Sequence, residues 1–589
     1  MSIQPTAPAP LASTPETCRE RVTPRPDCRP RPHLLHGRGG SRHHEEEARQ
    51  DVEDRQGPAP SGQAGHEPGL TPAHRPPGTG ERRNSRRGLR LLCAAALACL
   101  LSGAALAQKS ADTLRIAWRD AVPNLDPYYN QLRVGLVLAH HAWDGLVYRD
   151  PETFTLRPLL ATAWRAVGDT AIEFDLRRGV TFHDGSPFTA DDVVYTVSTI
   201  LADPLIAVPS NYAWLEGAEK IDSHKVRLRL KRIFPAAPEY IAMVLPIWPK
   251  ATREAMGEDA YAKAPIGAGP YRIARPEGGS RIGLDRYEGY YAESPKGKAS
   301  IRRISVEEVP DAAAELAALA GGTADWIWNV SAEGLESIGK QANLQVLRSE
   351  SMRVGYLQID ATGRTGADSP LTKLKVRQAI MHAIDRPGFV RSLVPGGGRA
   401  LDAPCYPTQF GCDLAAAVRY EFNPDKARGL LAEAGYPAGF ETELVTYALP
   451  SWGAAVQAQL KAVGITANIS QMQAAAAIAQ SLEGRSPLQM GSWGSYSIND
   501  VSAFLPFFFS GNANDYARDP ELQRLIEAGG VSTNPDERRK LYGQAIRRIT
   551  ENAYLLPMHS FVTTYGISRA LAFKPHPDEL PRFYLANWR

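Results

Sequence analysis

From Thr113 onward, apolar and polar positions alternate with period two in short runs and with a helical period in longer ones. The run Thr113 to Trp118 (TLRIAW) predicts a strand. Ala171 to Phe182 (AIEFDLRRGVTF) and Val226 to Ile233 (VRLRLKRI) place charges at alternate positions and predict half-exposed strands. Thr189, followed three residues later by Asp192, predicts a capped helix start. Asn423-Pro424 opens a second helix, DKARGLLAEAG, with Gly435 as its terminator. Lys373 to Val394 carries Val376, Ala379, Ile380, Ala383 and Ile384 at helical spacing. Strands and helices alternate along the body, which predicts an α/β, mixed α+β fold with no internal repeat.

Neither period is present in residues 1–81. That stretch holds 14 Pro beside clusters of Gly, Arg and His, and its large aliphatic residues are few. Such a segment buries too little apolar surface to offset chain entropy. It reads either as a disordered extension or as a mis-assigned stretch upstream of the true start. The second reading is preferred, because an export signal normally begins a chain and here one begins only near Arg82.

That signal spans 82–107. Arg82, Arg83, Arg86, Arg87 and Arg90 form a cationic region, Leu91 to Leu101 is apolar, and Ala105-Leu106-Ala107 is a small-x-small cleavage pattern. The apolar run reaches about 16 Å as a helix, short of a bilayer core of roughly 30 Å. Cleavage is expected between Ala107 and Gln108. The general secretory route is expected, with Ser85-Arg86-Arg87-Gly88-Leu89 as a loose twin-Arg alternative.

Composition narrows the function. Of 67 basic and 64 acidic residues, 15 Arg and 11 acids lie in residues 1–107, so the remaining body is close to neutral. A nucleic-acid partner is not expected without a basic surplus. Hydrophobic residues make up 43% and charged residues 22%, values of a globular protein. After the signal only Cys405 and Cys412 remain, in a Pro- and Gly-containing loop. In an oxidising compartment an even pair reads as a disulfide, with two free thiols as the alternative. Zinc is disfavoured by the spacing and by the lack of nearby His.

The catalytic motifs are missing: no Gly-x-Ser-x-Gly, His-Glu-x-x-His, Cys-x-x-Cys or Walker loop occurs after the signal. Asp191-Asp192, Glu307-Glu308, His140-His141 and His183 read as surface or structural groups. No cofactor, metal or enzymatic activity is expected, and the chain points to binding.

Several ordered motifs carry a resemblance. Leu159 to Asp192 (LLATAWRAVGDTAIEFDLRRGVTFHDGSPFTADD) is the strongest. With it go Leu125-Asp126-Pro127, Asp144-Gly145-Leu146, Gly267-Ala268-Gly269-Pro270-Tyr271, Val376-Arg377-Gln378-Ala379-Ile380 before Ala383-Ile384-Asp385-Arg386, and Asn423 to Tyr436. Over 112–589 the chain resembles the bacterial solute-binding proteins of family 5, which feed ATP-driven importers for peptides, nickel complexes and related solutes.

The resemblance implies a two-lobed clamshell with an extra subdomain. Lobe I would comprise 108–152, 265–360 and a return at 555–589. The subdomain would be 153–264 and lobe II 361–554. Strands near Tyr356 to Asp360 and Leu555 to His559 would form the hinge. A small-molecule or peptide ligand would lie between the lobes, a membrane permease would be the partner, and the protein would be a periplasmic monomer. A receptor presenting solute to a sensor is the alternative role.

Ligand-facing candidates follow by position. Tyr129, Asn130 and Gln131 occupy the loop after the first strand. Tyr212 and Trp214 lie in an aromatic stretch of the subdomain. His559 matches a hinge-side ligand position. Arg353 is a candidate for a ligand carboxylate. Peptide binders of this family carry a Trp followed three residues later by an Asp for the peptide ammonium. Here Trp493 is followed by Tyr496, a neutral partner. Asp500 would substitute only if the loop is rearranged. Simple free-amine peptides are therefore disfavoured, and a sugar, modified peptide, opine or metal chelate becomes an alternative.

Overall fold

In a computed structural model, residues 112–130, 132–274, 281–495 and 497–589 are described, all within one compact unit, Ala95–Arg589. The expected cleavage site Ala107/Gln108 and the candidates Gln131 and Tyr496 lie outside the described residues.

The strands are β1 (Thr113–Trp118), β2 (Val147–Arg149), β3 (Leu156–Pro158), β4 (Ala161–Ala166), β5 (Ala171–Leu176), β6 (Leu215–Asp222), β7 (Lys225–Leu230), β8 (Tyr271–Ala274) and β9 (Arg281–Arg286). They continue with β10 (Arg303–Glu308), β11 (Trp326–Trp328), β12 (Leu344–Ile359), β13 (Phe440–Thr446), β14 (Ile465–Gln471), β15 (Leu488–Trp493), β16 (Leu555–Ser568), β17 (Leu571–Ala572) and β18 (Asn587–Trp588). A ten-stranded sheet runs β14-β13-β15-β12-β16-β11-β1-β10-β9-β8, and a separate four-stranded sheet runs β4-β5-β7-β6.

The long strands β12 and β16 join the two halves of the large sheet. They pair antiparallel from Leu344↔Ser568 to Gln358↔Leu555, with an irregularity between Ser351 and Val354. Apolar cores segregate to either side of them. One spans β1, β8 to β10 and the four-stranded sheet, around Trp143, Phe174 and Trp248. Others lie among β13 to β15 and their helices, around Ile380, Val456 and Phe508. This is the mixed α/β, two-lobed architecture that the resemblance implied.

Local signals decide most elements. Thr189 and Asp192 form the capping box of helix Ala190–Ala202. Asn423 caps helix Pro424–Glu433 through Lys426 N. Three predicted spans are shorter in fact, among them Val226 to Ile233, whose strand ends at Leu230. The strand from Ala171 ends at Leu176, ahead of a turn with Gly179 at φ +76°. The helical span 373–394 is two helices, Leu374–Ala383 and Arg386–Leu393. Asp385 caps the second through Gly388 N, with Pro387 in its first turn.

Candidate functional site

Trp493 ends β15, where it pairs with Val354 of β12. Its ring is half-buried against Phe504 and Phe507, with ring centroids 5.2 and 5.9 Å away. The chain then leaves the sheet through Gly494 and Ser495 and plants Ser497 and Ile498 on the opposite side. Ile498 is 1% exposed and belongs to the apolar core of β1 and the four-stranded sheet.

Polar contacts hold this loop there. Arg133, the first residue of helix Arg133–Ala142, donates to Ser497 Oγ at 2.6 Å. Arg149 of β2 donates to Ser497 O and Glu239 and pairs with Asp578 at 2.6 Å. Glu239 also accepts from Asn499 N at 2.8 Å, and Ser497 Oγ donates to Asp578 O. Asp578 pairs with Arg582 at 2.6 Å as well. Burial alone would raise the Asp578 pKa, but the Arg582 and Arg149 guanidiniums outweigh it and hold the carboxyl below the usual range.

Beside this network stands Glu579. Its Oε2 forms an ion pair with Arg133 at 3.1 Å and accepts from Arg353 at 3.2 Å, and its Oε1 accepts from Arg353 Nε at 3.3 Å. Burial again opposes ionisation, yet Arg353 and Arg133 keep the Glu579 carboxyl below its ordinary value. Gly494 runs close by, since a Cβ there would stand 3.0 Å from Arg353 Nη2.

The structure thus brings Trp493 and Arg353 into one region and adds Arg133, Arg149, Glu239, Ser497, Asp578 and Glu579. It leaves the other candidates elsewhere. Asp500 is 5% exposed; Arg538 Nη2 donates to both its oxygens, at 3.0 and 3.2 Å, and Ser502 N donates to Oδ1. Tyr129 donates to Asp203 and accepts from Arg253 at 3.2 Å. Asn130 is spent on its own loop, bonding Asn124 O and Leu132 N. Tyr212 and Trp214 are buried in the subdomain, where Tyr212 Oη donates to Val244 O and Trp214 packs on Phe234 and Tyr240. His559 is enclosed by Phe389, Trp452 and Phe561. Cys405 and Cys412 form a disulfide with a Cα–Cα distance of 5.8 Å.

Sequence reasoning missed Arg133, although one signal was present. A cation opening an otherwise apolar helix opposes the helix dipole and calls for a partner. Glu579 had no local signal beyond its neighbour Asp578. A hollow of about 1290 Å³ lies over β1, β8, β9 and β10, but its charges pair across strands, Arg303 with Asp285 and Arg281 with Glu307. Among the described residues, none of the expected ligand residues lines it. Among the described residues, no group of three or more His, Cys, Asp or Glu is placed to hold a metal.

Residues 155–515 match the model of the bacterial extracellular solute-binding proteins, family 5. The chain belongs to that family. It is 25% identical over 483 residues to heme-binding protein A of Haemophilus influenzae, covering 76% of this chain and 86% of that protein. It is 26% identical over 462 residues to the glutathione-binding protein GsiB of Escherichia coli, covering 74% and 86%. The solved structure of HbpA2 from Haemophilus parasuis superposes with a TM-score of 0.71 at 25% identity, over 81% of this chain and all of that one. As a family member the chain is a solute-binding protein, and the residues after β15 reach from one apolar core, against which Trp493 packs, to another, which holds Ile498.

Proposed function

We propose that the protein is exported to the periplasm, captures a small solute between its lobes as a monomer, and hands it to the membrane permease of an ATP-driven importer. One observation supports a capture role most directly. Ser497 and Asn499, which follow a strand of one lobe, are held by Arg133 and Arg149 of the other and by Glu239 of the inserted subdomain. Contacts of this kind exist only when the lobes are together, so whatever adds to them shifts the population toward closure.

The solute is peptide-like or a related small molecule. A non-peptide solute, such as an opine, a sugar or a nickel chelate, is the second reading, and Asp500 favours it. That carboxylate is committed to Arg538 and is not offered to a ligand ammonium. Trp493 would then supply an aromatic surface in place of a counter-charge.

Native mass spectrometry of protein isolated from its own periplasm tests capture directly. A co-purified small molecule, displaced by the same compound in calorimetry, is the expected result. Protein that carries no solute and binds none from a panel of peptides, glutathione, opines, sugars and nickel chelates would contradict it. Reading the N-terminus of the same sample tests export, with a start at or near Gln108 expected.

A further inference from the structure

The strand that carries Trp493 is held at its end by a side chain from the strand beside it. β13 pairs with β15 in parallel from Leu444↔Leu488 to Thr446↔Met490, where the register ends. Tyr447, the next residue of the chain, takes over from the backbone. Its hydroxyl donates to Ser492 O at 2.8 Å and accepts from Ser492 N at 3.0 Å. One hydroxyl thus holds both main-chain groups of the residue before Trp493.

Gly491 makes room for this reach. It lies two positions before Trp493 and so on the same face of β15. A Cβ there would stand 2.6 Å from Tyr447 Oη and 2.8 Å from both Cε1 and Cζ. Gly491 is not at positive φ, so its own backbone does not call for a glycine; the ring of Tyr447 does. Across the sheet Gly491 pairs with Tyr356 of β12, and Trp493 pairs with Val354. Burial first, and then the interaction with Tyr447, raises the Tyr356 hydroxyl pKa well above its ordinary value, which places the two tyrosines side by side. Tyr447 itself is half-buried.

We propose that Tyr447 and Gly491 are positioning residues for Trp493: the Gly491 gap admits the Tyr447 ring, and the hydroxyl clamps Ser492 so that the Trp493 ring leaves the strand in one orientation. A ring held in one orientation offers a solute its stacking surface without first losing side-chain freedom. Removing the clamp leaves the indole in place chemically but no longer fixed. This inference deepens the solute-capture reading and rests on it, and it assigns neither Tyr447 nor Gly491 a contact with the solute.

The test uses the full mature protein labelled with 5-fluorotryptophan. The Trp493 fluorine resonance is identified by its loss in Trp493→Phe, and the Trp164 resonance, from the four-stranded sheet, by its loss in Trp164→Phe. Tyr447→Phe keeps the ring and removes both bonds to Ser492. It should shift or broaden the Trp493 resonance and leave that of Trp164 in place. Gly491→Ala, whose methyl competes with the Tyr447 ring, should disturb the same resonance. A Trp493 resonance unmoved in Tyr447→Phe overturns the proposal, whether or not Gly491→Ala folds.

A second arm is calorimetry with alanyl-alanine, reduced glutathione, mannopinic acid, maltose and the nickel–histidine complex. Any of these that the wild type binds should be held at least about fivefold more weakly by Tyr447→Phe, and that loss should disappear in a Trp493→Ala background, where no ring is left to place. An equal loss in both backgrounds would show that Tyr447 acts on the solute without Trp493 and would overturn the positioning role while leaving solute capture intact. A wild type that binds none of these probes counts against solute capture alone, and the fluorine result then still decides whether Tyr447 sets the ring.

Discussion

Asp500 gives both its carboxylate oxygens to one nitrogen of Arg538, and the two side chains are only 6% and 7% exposed. The pair ties the crossing loop to helix Pro535–Glu551 within one lobe. Burial alone would lower the Arg538 pKa, but the Asp500 charge and hydrogen bonds raise it overall. The pair therefore acts in the buried scaffold.

Removing one partner strands the other. Asp500→Ala should cost about 3–5 kcal/mol in denaturant unfolding, because it leaves the Arg538 charge buried without its counter-ion. Adding Arg538→Leu should recover part of that loss, since an apolar replacement needs no partner. A folded Asp500→Ala protein of wild-type stability would show that the pair is not holding the loop.

His559 makes a prediction in pH. Its ring is fully buried among Phe389, Trp452 and Phe561, its Nδ1 lies 3.0 Å from Ser560 O, and its Nε2 finds no hydrogen-bond partner among the described residues. Burial pushes the pKa down from 6.5 to about 4. The folded protein thus resists a proton that the unfolded chain accepts. The stability this group provides is complete above about pH 6.5 and is lost as pH falls from there toward about 4. His559→Phe should remove that component, flattening the fall in unfolding free energy by about 1.4 kcal/mol per pH unit within the window. Denaturant curves at pH 7 and pH 5 check it, and an unchanged slope in the variant would refute the assignment.

What was readable in the sequence was what is settled locally. The alternation in Thr113–Trp118, the Thr189/Asp192 box and the Asn423 cap each depend on residues within one turn or strand, and each element forms where expected. The single helix expected over 373–394 is broken at Asp385, whose side chain caps a new start. Aromatic character alone did not tell lid from core. Tyr212 and Trp214 are buried because Tyr128, Phe234 and helix Ala237–Val244 pack on them, a tertiary fact. The cluster at Glu579 draws on three distant stretches, and no periodicity connects them. Only the misplaced cation at Arg133 hinted that a partner was waiting elsewhere.

The disulfide should be structural. Cys405 is 1% exposed and belongs to the same core as Phe504 and Leu505, with Cys412 packed against it. The loop also sits on the crossing segment, since Phe410 bridges to Asp500. Replacing both cysteines by Ser should lower stability by about 2–3 kcal/mol, the range for closing a short loop. Solute affinity measured on the folded fraction should stay within about threefold of wild type. Free thiols in freshly isolated protein, detected by reagent labelling without reductant, would remove the bond and this prediction together.

Trp493 separates packing from recognition. Its ring contacts Phe504 and Phe507 and is half-buried, so part of it stays open to solvent. Trp493→Phe keeps most of the lobe packing and should change unfolding free energy by less than about 1.5 kcal/mol. It should nevertheless weaken the bound solute, because the smaller ring offers less stacking surface. Trp493→Ala should lose both, with about 2 kcal/mol of stability and roughly tenfold in affinity. The informative comparison is therefore between the two variants, with stability from denaturant curves and affinity from calorimetry with the solute recovered from the periplasmic protein. If Trp493→Phe and Trp493→Ala both bind solute as tightly as wild type while differing in stability, the ring belongs to the lobe core alone.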